Sequence, residues 1–387
     1  MPSEHSRGSK IDLALVLFLV AQVAGLVYLG LAPFSFSPPN RVKSLDDPPG
    51  LQFSALGIAT SQGTVRGAEQ FPGDSLSIHF MIEPDDEPRS GLGTILSIEG
   101  KGRTAPLIVA QWKSWLVVRV RDPARRNLGY WEINAAGFRV GERHFVTITS
   151  GPKSGTAIYI DGVATGDTRG RAIIRREEGF DGRLLLGCLG NGSAGWRGKL
   201  FGLAITSTVV DPGEIAAQYD RVRSDGFKAL REDRDIIALY DFTSHEPKRE
   251  ELLYSVPNRV ADSALGDLEI PAVFAPVRPE AFGVPKLRDM MADWFLRDLL
   301  RNIAGFFPFG LIAALILIRR RSGQGYVIAL QVAFLGAILS LGIEAVQIAL
   351  PMRNSSLSDL SLNVIGAAIG AVIALAFRHT PLGNAKA

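Results

Sequence analysis

The chain has 387 residues, with 42 Lys and Arg against 39 Asp and Glu, and its formal net charge of +3 says little about partners. It has no basic stripe with interleaved aromatic residues, so we expect no binding of nucleic acid. Its single cysteine, Cys188, excludes an internal disulfide and any CxxC-type metal site. We expect Cys188 to be a small buried strand residue.

Four apolar runs approach the length of about 20 residues that a helix needs to cross a bilayer. They predict transmembrane helices at residues 11–34, 298–318, 326–350 and 360–377. Arg7 and Lys10 precede the first run, as in a cleaved signal peptide. That run is longer than a typical signal-peptide core, and Pro33 suits a cleavage site poorly, so we expect an uncleaved anchor.

Basic residues in the short segments beside these helices predict the topology, because Lys and Arg are enriched in cytoplasmic loops. The basic residues are Arg7, Lys10, Arg319, Arg320, Arg321, Arg378 and Lys386. They put residues 1–10 and 378–387 in the cytoplasm. Residues 35–290 and the short loop 351–358 are then outside, and Arg353 in that loop is an exception to the rule.

Residues 35–290 alternate Gly-rich turns with short β-branched stretches, which is typical of strands. The predicted strands include Leu76–Met81, Thr94–Ile98, Trp115–Arg121, His144–Thr149, Ala157–Ile160, Arg183–Leu186 and Leu200–Ile205. Asp161-Gly162 predicts a two-residue hairpin turn, since a type I′ turn needs positive φ at both positions. Asp211-Pro212 predicts a capped helix through Tyr219. The fold class is therefore a membrane α-helical module plus an all-β sandwich or jelly roll.

Over about residues 50–245, this region resembles the laminin G-like, concanavalin A-like family. The strings that carry the resemblance are His144–Ile148, Ile158–Gly162, Leu185–Gly187, Trp196–Ile205 and Ile215–Tyr219. The resemblance implies a two-sheet jelly roll with a closing helix that binds a glycan or an envelope protein, in some members with calcium. We find no carboxylate cluster that maps onto a calcium site, and we expect no metal or cofactor.

The conspicuous aromatic and imidazole side chains of the insert have an ordinary structural interpretation. Trp112, Trp115, Trp131 and Trp196 could stack on sugars, but strand aromatics more often pack in a core. We expect core packing for these four, and hydrogen-bonded core positions for His79 and His144.

The membrane helices carry polar residues at one shared depth, near the outer ends of the helices. They are Asp298, Arg301, Asn302, Glu344, Gln347, Arg353, Asp359 and Asn363. Asp298 and Asp359 each precede an Asn by four residues, which predicts an Asp capping the start of each helix and an Asn on the same face. Helical rise puts each Asn about 6 Å inside the helix end.

Glu344 is the leading candidate, because charged groups at membrane depth are costly unless they are paired or face water. One interpretation is a structural ion pair with Arg301 or Arg353. The other is a hydrophilic pocket, open to the outside, that holds a polar head group or small solute.

The polar signature, together with Phe307-Pro308, Gly310, Pro351, Gly366 and Gly370, resembles the VanZ family, as does Leu29–Phe34 at the end of the first helix. That family is named for low-level resistance to teicoplanin. The resemblance implies a bacterial plasma-membrane protein, and we find nothing that predicts its oligomeric state.

Two hypotheses remain open. A non-enzymatic envelope protein would bind a glycan or protein through its jelly roll and a membrane lipid through its module. A membrane enzyme would instead use Glu344 or Asp359 as acid or base. The helices contain no Ser-His or Cys-His set, which favours the first hypothesis.

Overall fold

The computed structural model describes residues 4–86, 88, 91–100, 105–122, 129–166, 170–175, 180–233, 235–243, 248–250, 253–277, 281–284, 293–320 and 324–378. Arg321 and Lys386, which entered the sequence predictions, lie outside these residues. The chain divides into two compact units, one of residues Ser37–Arg278 and one of Met1–Phe36 with Pro279–Ala387.

The first unit is a β-sandwich of two mainly antiparallel sheets. In the described residues one sheet has eight strands. They are β1 (Val42–Asp46), β2 (Pro49–Phe53), β4 (Leu76–Pro84), β9 (His144–Gly151), β10 (Gly155–Ile160), β11 (Val163–Ala164), β13 (Gly198–Thr206) and β14 (Ile236–Asp241). Their order is β1-β2-β13-β4-β9-β10-β11, and β14 also pairs with β13.

The other sheet has nine strands in the described residues. They are β3 (Ala59–Ser61), β5 (Gly93–Glu99), β6 (Leu107–Trp112), β7 (Trp115–Arg121), β8 (Tyr130–Ala136), β12 (Arg183–Leu186), β15 (Lys248–Glu250), β16 (Leu253–Val256) and β17 (Leu268–Pro271). Their order is β15-β16-β17-β3-β12-β5-β6-β7-β8.

Alternating apolar side chains from both sheets form one core between them. Ile78 and Phe80 of β4 pack in the same cluster as Val118 of β7. A two-residue repeat sends alternate side chains of each strand to opposite faces, which explains this pattern. Outside the first sheet, Phe145 and Phe201 pack against helix α3 (Pro212–Asp225) and the 3-10 helix Phe227–Leu230. A short helix, α2 (Gly67–Gln70), follows β3.

The predicted strands are confirmed, as are both local signals. Asp161 and Gly162 have φ of +53° and +81° in the turn from β10 to β11. The Asp211 carboxylate accepts a 2.9 Å hydrogen bond from the Gly213 N–H at the start of α3. The sheets also include β1, β16 and β17, which lie outside residues 50–245. β1 pairs with β2, and β17 pairs with β3.

Two predictions for side chains of the sandwich need correction. Cys188 is buried, but it follows β12 in a bend rather than lying in a strand, because Gly187 has φ of +91°. Trp131 and Trp196 are core residues as predicted, whereas Trp112 and Trp115 are exposed. These two flank the tight turn between β6 and β7, at the ends of the two strands.

The second unit contains four helices, α1 (Glu4–Leu31), α4 (Asp293–Arg320), α5 (Gly325–Gln347) and α6 (Leu357–Arg378). In the described residues, four segments of these helices are long and apolar enough to cross a membrane. Compared with the predicted spans, α1 and α5 each end three residues earlier. Pro33 and Pro351 follow them, and a residue before proline is disfavoured in helical conformation. Helix α4 starts five residues earlier than its apolar run, because a helix does not need apolar residues to begin.

Small residues let the helices of this unit approach closely. A Cβ added at Gly310 would lie 2.0 Å from the Ala367 carbonyl oxygen, and one at Gly370 would lie 2.2 Å from the Phe307 carbonyl oxygen. These contacts join α4 to α6 backbone to backbone. Such packing is typical of membrane helices with small residues four apart, as at Gly366 and Gly370.

Candidate functional site

The predicted polar residues converge where α4 begins, α5 ends and α6 begins. Asp298 and Asn302 lie in the first turns of α4, and Glu344 lies in the last turn of α5. Asp359 and Asn363 lie in the first two turns of α6. These five residues, with Gln347, are named the polar cluster below.

Glu344 is 2% exposed and its partners come from the loop before α6. Its Oε2 atom accepts a 2.7 Å hydrogen bond from the Ser356 backbone N–H, and the Ser355 hydroxyl is a second partner. Ser356 immediately precedes α6, so the carboxylate satisfies an N–H at the positive end of that helix. The contact also ties the end of α5 to the start of α6.

Of the two interpretations of Glu344, the ion pair with Arg301 or Arg353 is not formed in the described residues. Arg301 is exposed and forms no hydrogen bond or ion pair with a described residue. Arg353 instead donates to the carbonyl oxygens of Leu29, at 3.1 Å, and Ala32. A cation at the C-terminal end of a helix is stabilised by the free carbonyls and the dipole, which explains why Arg353 turns to α1.

Asp359 forms its hydrogen bonds with residues of α4 and does not cap its own helix. The Asn302 Nδ2 atom donates to Asp359 Oδ1 at 3.0 Å, and the Asp298 carboxyl group also hydrogen-bonds to Asp359. The capping role predicted for Asp298 is wrong because α4 already begins at Asp293.

Two of the three amide side chains of the cluster, Gln347 and Asn363, each have an oxygen without a partner. Gln347 is 7% exposed, and its Nε2 donates to the Gly30 carbonyl oxygen at 2.7 Å, while its Oε1 has no partner. Asn363 is 6% exposed, and its Nδ2 donates to the Ser340 hydroxyl at 2.9 Å, while its Oδ1 has no partner. Two buried acceptors are therefore left free, which is costly unless a donor fills them.

Three contributors to this site were missed from the sequence: Ser340, Ser355 and Ser356. Ser340 lies four residues before Glu344, so the i, i+4 rule could have placed it on the same face of α5. Ser355 and Ser356 carried no such signal, since their roles depend on how the loop folds back.

The sandwich has one exposed aromatic pair. Trp112 and Trp115 are directly opposite each other in the register of β6 and β7, and they are 45% and 39% exposed. The Lys113 ammonium, at the turn between them, lies 5.2 Å from the centre of the Trp112 ring. A groove of about 660 Å³ elsewhere on this unit is lined by residues that include Arg66, Glu99 and Arg183.

Two titratable groups buried in the sandwich, His79 and Cys188, have no reactive character. Burial lowers the pKa of His79 to about 3, so its ring is neutral, and Nδ1 lies 3.1 Å from the Thr147 hydroxyl. Burial, together with the Glu99 carboxylate, raises the pKa of the Cys188 thiol to about 12. A thiol with so high a pKa is a poor nucleophile and metal ligand.

Solved structures similar to the chain are all distant. They include Trypanosoma rangeli sialidase in complex with the inhibitor DANA, at 15% identity and a TM-score of 0.36, over 47% of this chain and 28% of that one. A putative carbohydrate binding protein from Bacteroides ovatus has 15% identity and a TM-score of 0.39, over 59% of this chain and 60% of that one. The receptor binding domain of botulinum neurotoxin type G has 15% identity and a TM-score of 0.36, over 56% and 50%.

The chain thus spans less than two thirds of the length of these structures. No curated protein matches the chain.

The family comparison concerns the other end of the chain. The VanZ/LLP1 family model matches residues 256–378, a range that begins at the last residue of β16 and includes α4, α5 and α6 but not α1. Residues 256–378 are therefore a VanZ-like domain within a chain that also contains an all-β sandwich.

Proposed function

We propose that the membrane module is a binding protein whose polar cluster holds the polar head group of a membrane lipid or a small solute. The observation that carries this proposal is Glu344, a carboxylate that is 2% exposed and without a described cation as partner. Because ionisable groups in membrane helices are costly, they are kept mainly where they contact a ligand or an ion pathway. An ion pathway needs a continuous row of polar residues across the membrane, whereas the polar residues of this module occupy one end of the helices.

The proposal includes a location. The module lies in the bacterial plasma membrane with both termini in the cytoplasm, so the polar cluster and the sandwich are on the extracytoplasmic side. A role in resistance to glycopeptides of the teicoplanin type rests on the VanZ resemblance alone.

The alternative of a membrane enzyme uses Glu344 or Asp359 as acid or base. In the described residues, Glu344 is held by the Ser356 backbone N–H and Asp359 by the Asn302 amide, so both carboxyl groups are occupied by structural hydrogen bonds. We therefore favour binding, and the same experiment also detects turnover.

The test compares the lipids and solutes that co-purify with the full chain and with Glu344→Gln, identified by mass spectrometry. Gln keeps the size of the side chain and removes its charge. We expect the variant to stay folded and to lose one bound species at least 10-fold, a change of about 1.4 kcal/mol in binding. The matched control is Asp12→Asn, because Asp12 pairs with Arg319 at 2.6 Å, away from the cluster.

Equal retention by both variants would contradict the binding proposal, and a chemically altered species in the wild-type sample would favour the enzyme.

A second proposed function concerns the sandwich, which would bind a glycan of the cell envelope. It is supported by the exposed pair Trp112 and Trp115, since aromatic faces stack on sugar rings and are rarely exposed together without a function.

We expect Trp112→Ala with Trp115→Ala to reduce pull-down by insoluble peptidoglycan at least 10-fold. Val163→Ala is the matched control, because Val163 is an exposed apolar residue at another hairpin. Unchanged pull-down by the double variant would contradict this role, and binding only to an envelope protein would replace the glycan as partner.

A further inference from the structure

We propose that the polar cluster binds a primary ammonium group, which it recognises through hydrogen-bond acceptors alone. This inference rests on the proposed binding function and names the chemical class of its ligand. The two sources of such a group are the amino head group of a membrane lipid and a soluble amine.

The two buried side-chain atoms of the cluster that have no hydrogen-bond partner are both acceptors. Gln347 has its Oε1 free, and its amide orientation is fixed, because the Gly30 carbonyl oxygen can accept but not donate. Asn363 has its Oδ1 free as well. A ligand that satisfies these two buried oxygens must supply N–H or O–H donors.

The free acceptors lie on the faces that carry the carboxyl groups. Gln347 is three residues after Glu344 on α5, and Asn363 is four residues after Asp359 on α6, so each amide shares a helix face with a carboxyl group. The Asp298 carboxyl group completes the set by its contact with Asp359. The three carboxyl groups interact electrostatically with one another, and each free amide oxygen belongs to a residue on the same helix face as one of them.

The polar cluster has acidic groups without a described cation. Arg301 is exposed and unpaired among the described residues, and Arg353 is used by the carbonyl oxygens of Leu29 and Ala32. Burying a carboxylate without a counter-charge is costly. A cationic ligand should therefore bind the cluster more tightly than a neutral ligand of the same size.

Two other cations fit less well. In the part of the chain that the structure describes, no three His, Cys, Asp or Glu side chains come close enough to hold a metal ion. A quaternary ammonium group has no N–H to donate, and proteins usually recognise it by aromatic faces. No member of the polar cluster is aromatic. A primary ammonium group, with three N–H donors, matches the acceptors that are present.

The test uses the full chain in nanodiscs of phosphatidylglycerol alone, or with phosphatidylethanolamine, or with phosphatidylcholine. The head groups of these two lipids differ only at the nitrogen, which is a primary ammonium group in phosphatidylethanolamine and a quaternary one in phosphatidylcholine. We expect phosphatidylethanolamine to raise the thermal unfolding midpoint by about 5 °C, with no rise from phosphatidylcholine. A further arm adds soluble ethanolamine to the phosphatidylglycerol discs, and a rise there identifies a soluble amine as ligand.

Each variant has its own expected outcome. Glu344→Gln should abolish the rise from the amine, while Asp12→Asn should leave it unchanged. The midpoint in phosphatidylglycerol alone shows whether each variant is folded.

An equal, Glu344-dependent rise from phosphatidylcholine would overturn the ammonium inference while the binding function stands. If no lipid and no amine changes the unfolding midpoint in a way that depends on Glu344, both the ammonium inference and the binding function are overturned. A rise that survives Glu344→Gln would place amine binding elsewhere and so contradict the inference.

Discussion

Glu344 and His79 are both buried titratable residues, but their surroundings give them different meanings. His79 lies in the sandwich, stacks on Phe145 with ring centres 6.1 Å apart, and has a hydroxyl neighbour in Thr147. Glu344 lies in a membrane helix among other carboxyl groups and free acceptors. The first arrangement is a neutral core position, whereas the second retains a need for a positive partner.

The His79 environment predicts that acid destabilises the sandwich. Burial lowers the folded-state pKa from 6.5 to about 3, so the unfolded chain binds a proton below pH 6.5 that the folded chain does not take up until about pH 3. Stability is therefore lost as the pH falls through this window, by up to about 1.4 kcal/mol per pH unit. His79→Asn should flatten this slope when unfolding by urea is followed by tryptophan fluorescence. An identical slope in the variant would show that other groups cause the acid sensitivity.

The sequence predicted the members of the polar cluster better than their contacts. Helical spacing placed Glu344 with Gln347 and Asp359 with Asn363, because i, i+3 and i, i+4 positions share a face. One of the two interpretations of Glu344 paired it with an arginine, whereas the structure uses the backbone N–H of Ser356. Backbone donors have no signature in a sequence, and the free carbonyls at the end of α1 compete for Arg353 in a way that no spacing rule includes.

At the scale of elements, α4 and α6 are joined by glycine contacts that hold the cluster together. Asn302 can reach Asp359 at 3.0 Å because Gly310, Gly366 and Gly370 bring the two backbones close one to three turns further along. The glycine pair four residues apart is visible in the sequence. Its partner helix was not predictable, because three apolar helices offer surfaces of similar hydrophobicity.

Gly370→Leu should therefore destabilise the membrane module. A Cβ at Gly370 would lie 2.2 Å from the Phe307 carbonyl oxygen, so the helices would have to separate. Overpacking of this kind costs about 1–3 kcal/mol, and backbone contacts belong at the upper end of that range. Thermal unfolding of the detergent-solubilised chain measures the loss. Gly342→Leu is the control, because Gly342 has nothing within 4 Å of its added Cβ, and equal losses in both variants would contradict the interface.

At the scale of the whole molecule, two units with separate cores divide the chain. The first unit runs from Ser37 to Arg278 and contains both sheets. The backbone of Phe274 donates to the Pro38 carbonyl oxygen at 2.8 Å, which brings both ends of this unit together. An insertion with adjacent ends is compatible with a continuous helical module on either side of it.

A fragment of residues 37–278 should consequently fold alone as a monomeric, β-rich domain. A fragment of residues 50–245, the range of the sequence-based resemblance, should aggregate. It lacks β1, β16 and β17. The edge of β2 that β1 covers and the edge of β3 that β17 covers would therefore be exposed. Circular dichroism and gel filtration distinguish the two. If the shorter fragment were equally stable, the outer strands would be dispensable.

The topology prediction concerns the loop between α5 and α6, which we expect to face the outside. Arg353 in this loop is an exception to the charge rule, but its guanidinium is bound to the end of α1, and so it carries little weight in orientation. Ser355 is a poor site for a thiol probe, since it is 1% exposed. Asn354 is exposed, as is Gln324 at the start of α5.

In intact cells that carry Cys188→Ala, a cysteine introduced by Asn354→Cys should react with a membrane-impermeant maleimide, and one introduced by Gln324→Cys should react only after the cells are opened. The expected difference follows from Arg319 and Arg320 at the end of α4, because the charge rule assigns a helix end with basic residues to the cytoplasm. Removal of the buried Cys188 excludes background labelling. Labelling of Gln324→Cys alone in intact cells would invert the topology, and with it the side from which an amine ligand reaches Glu344.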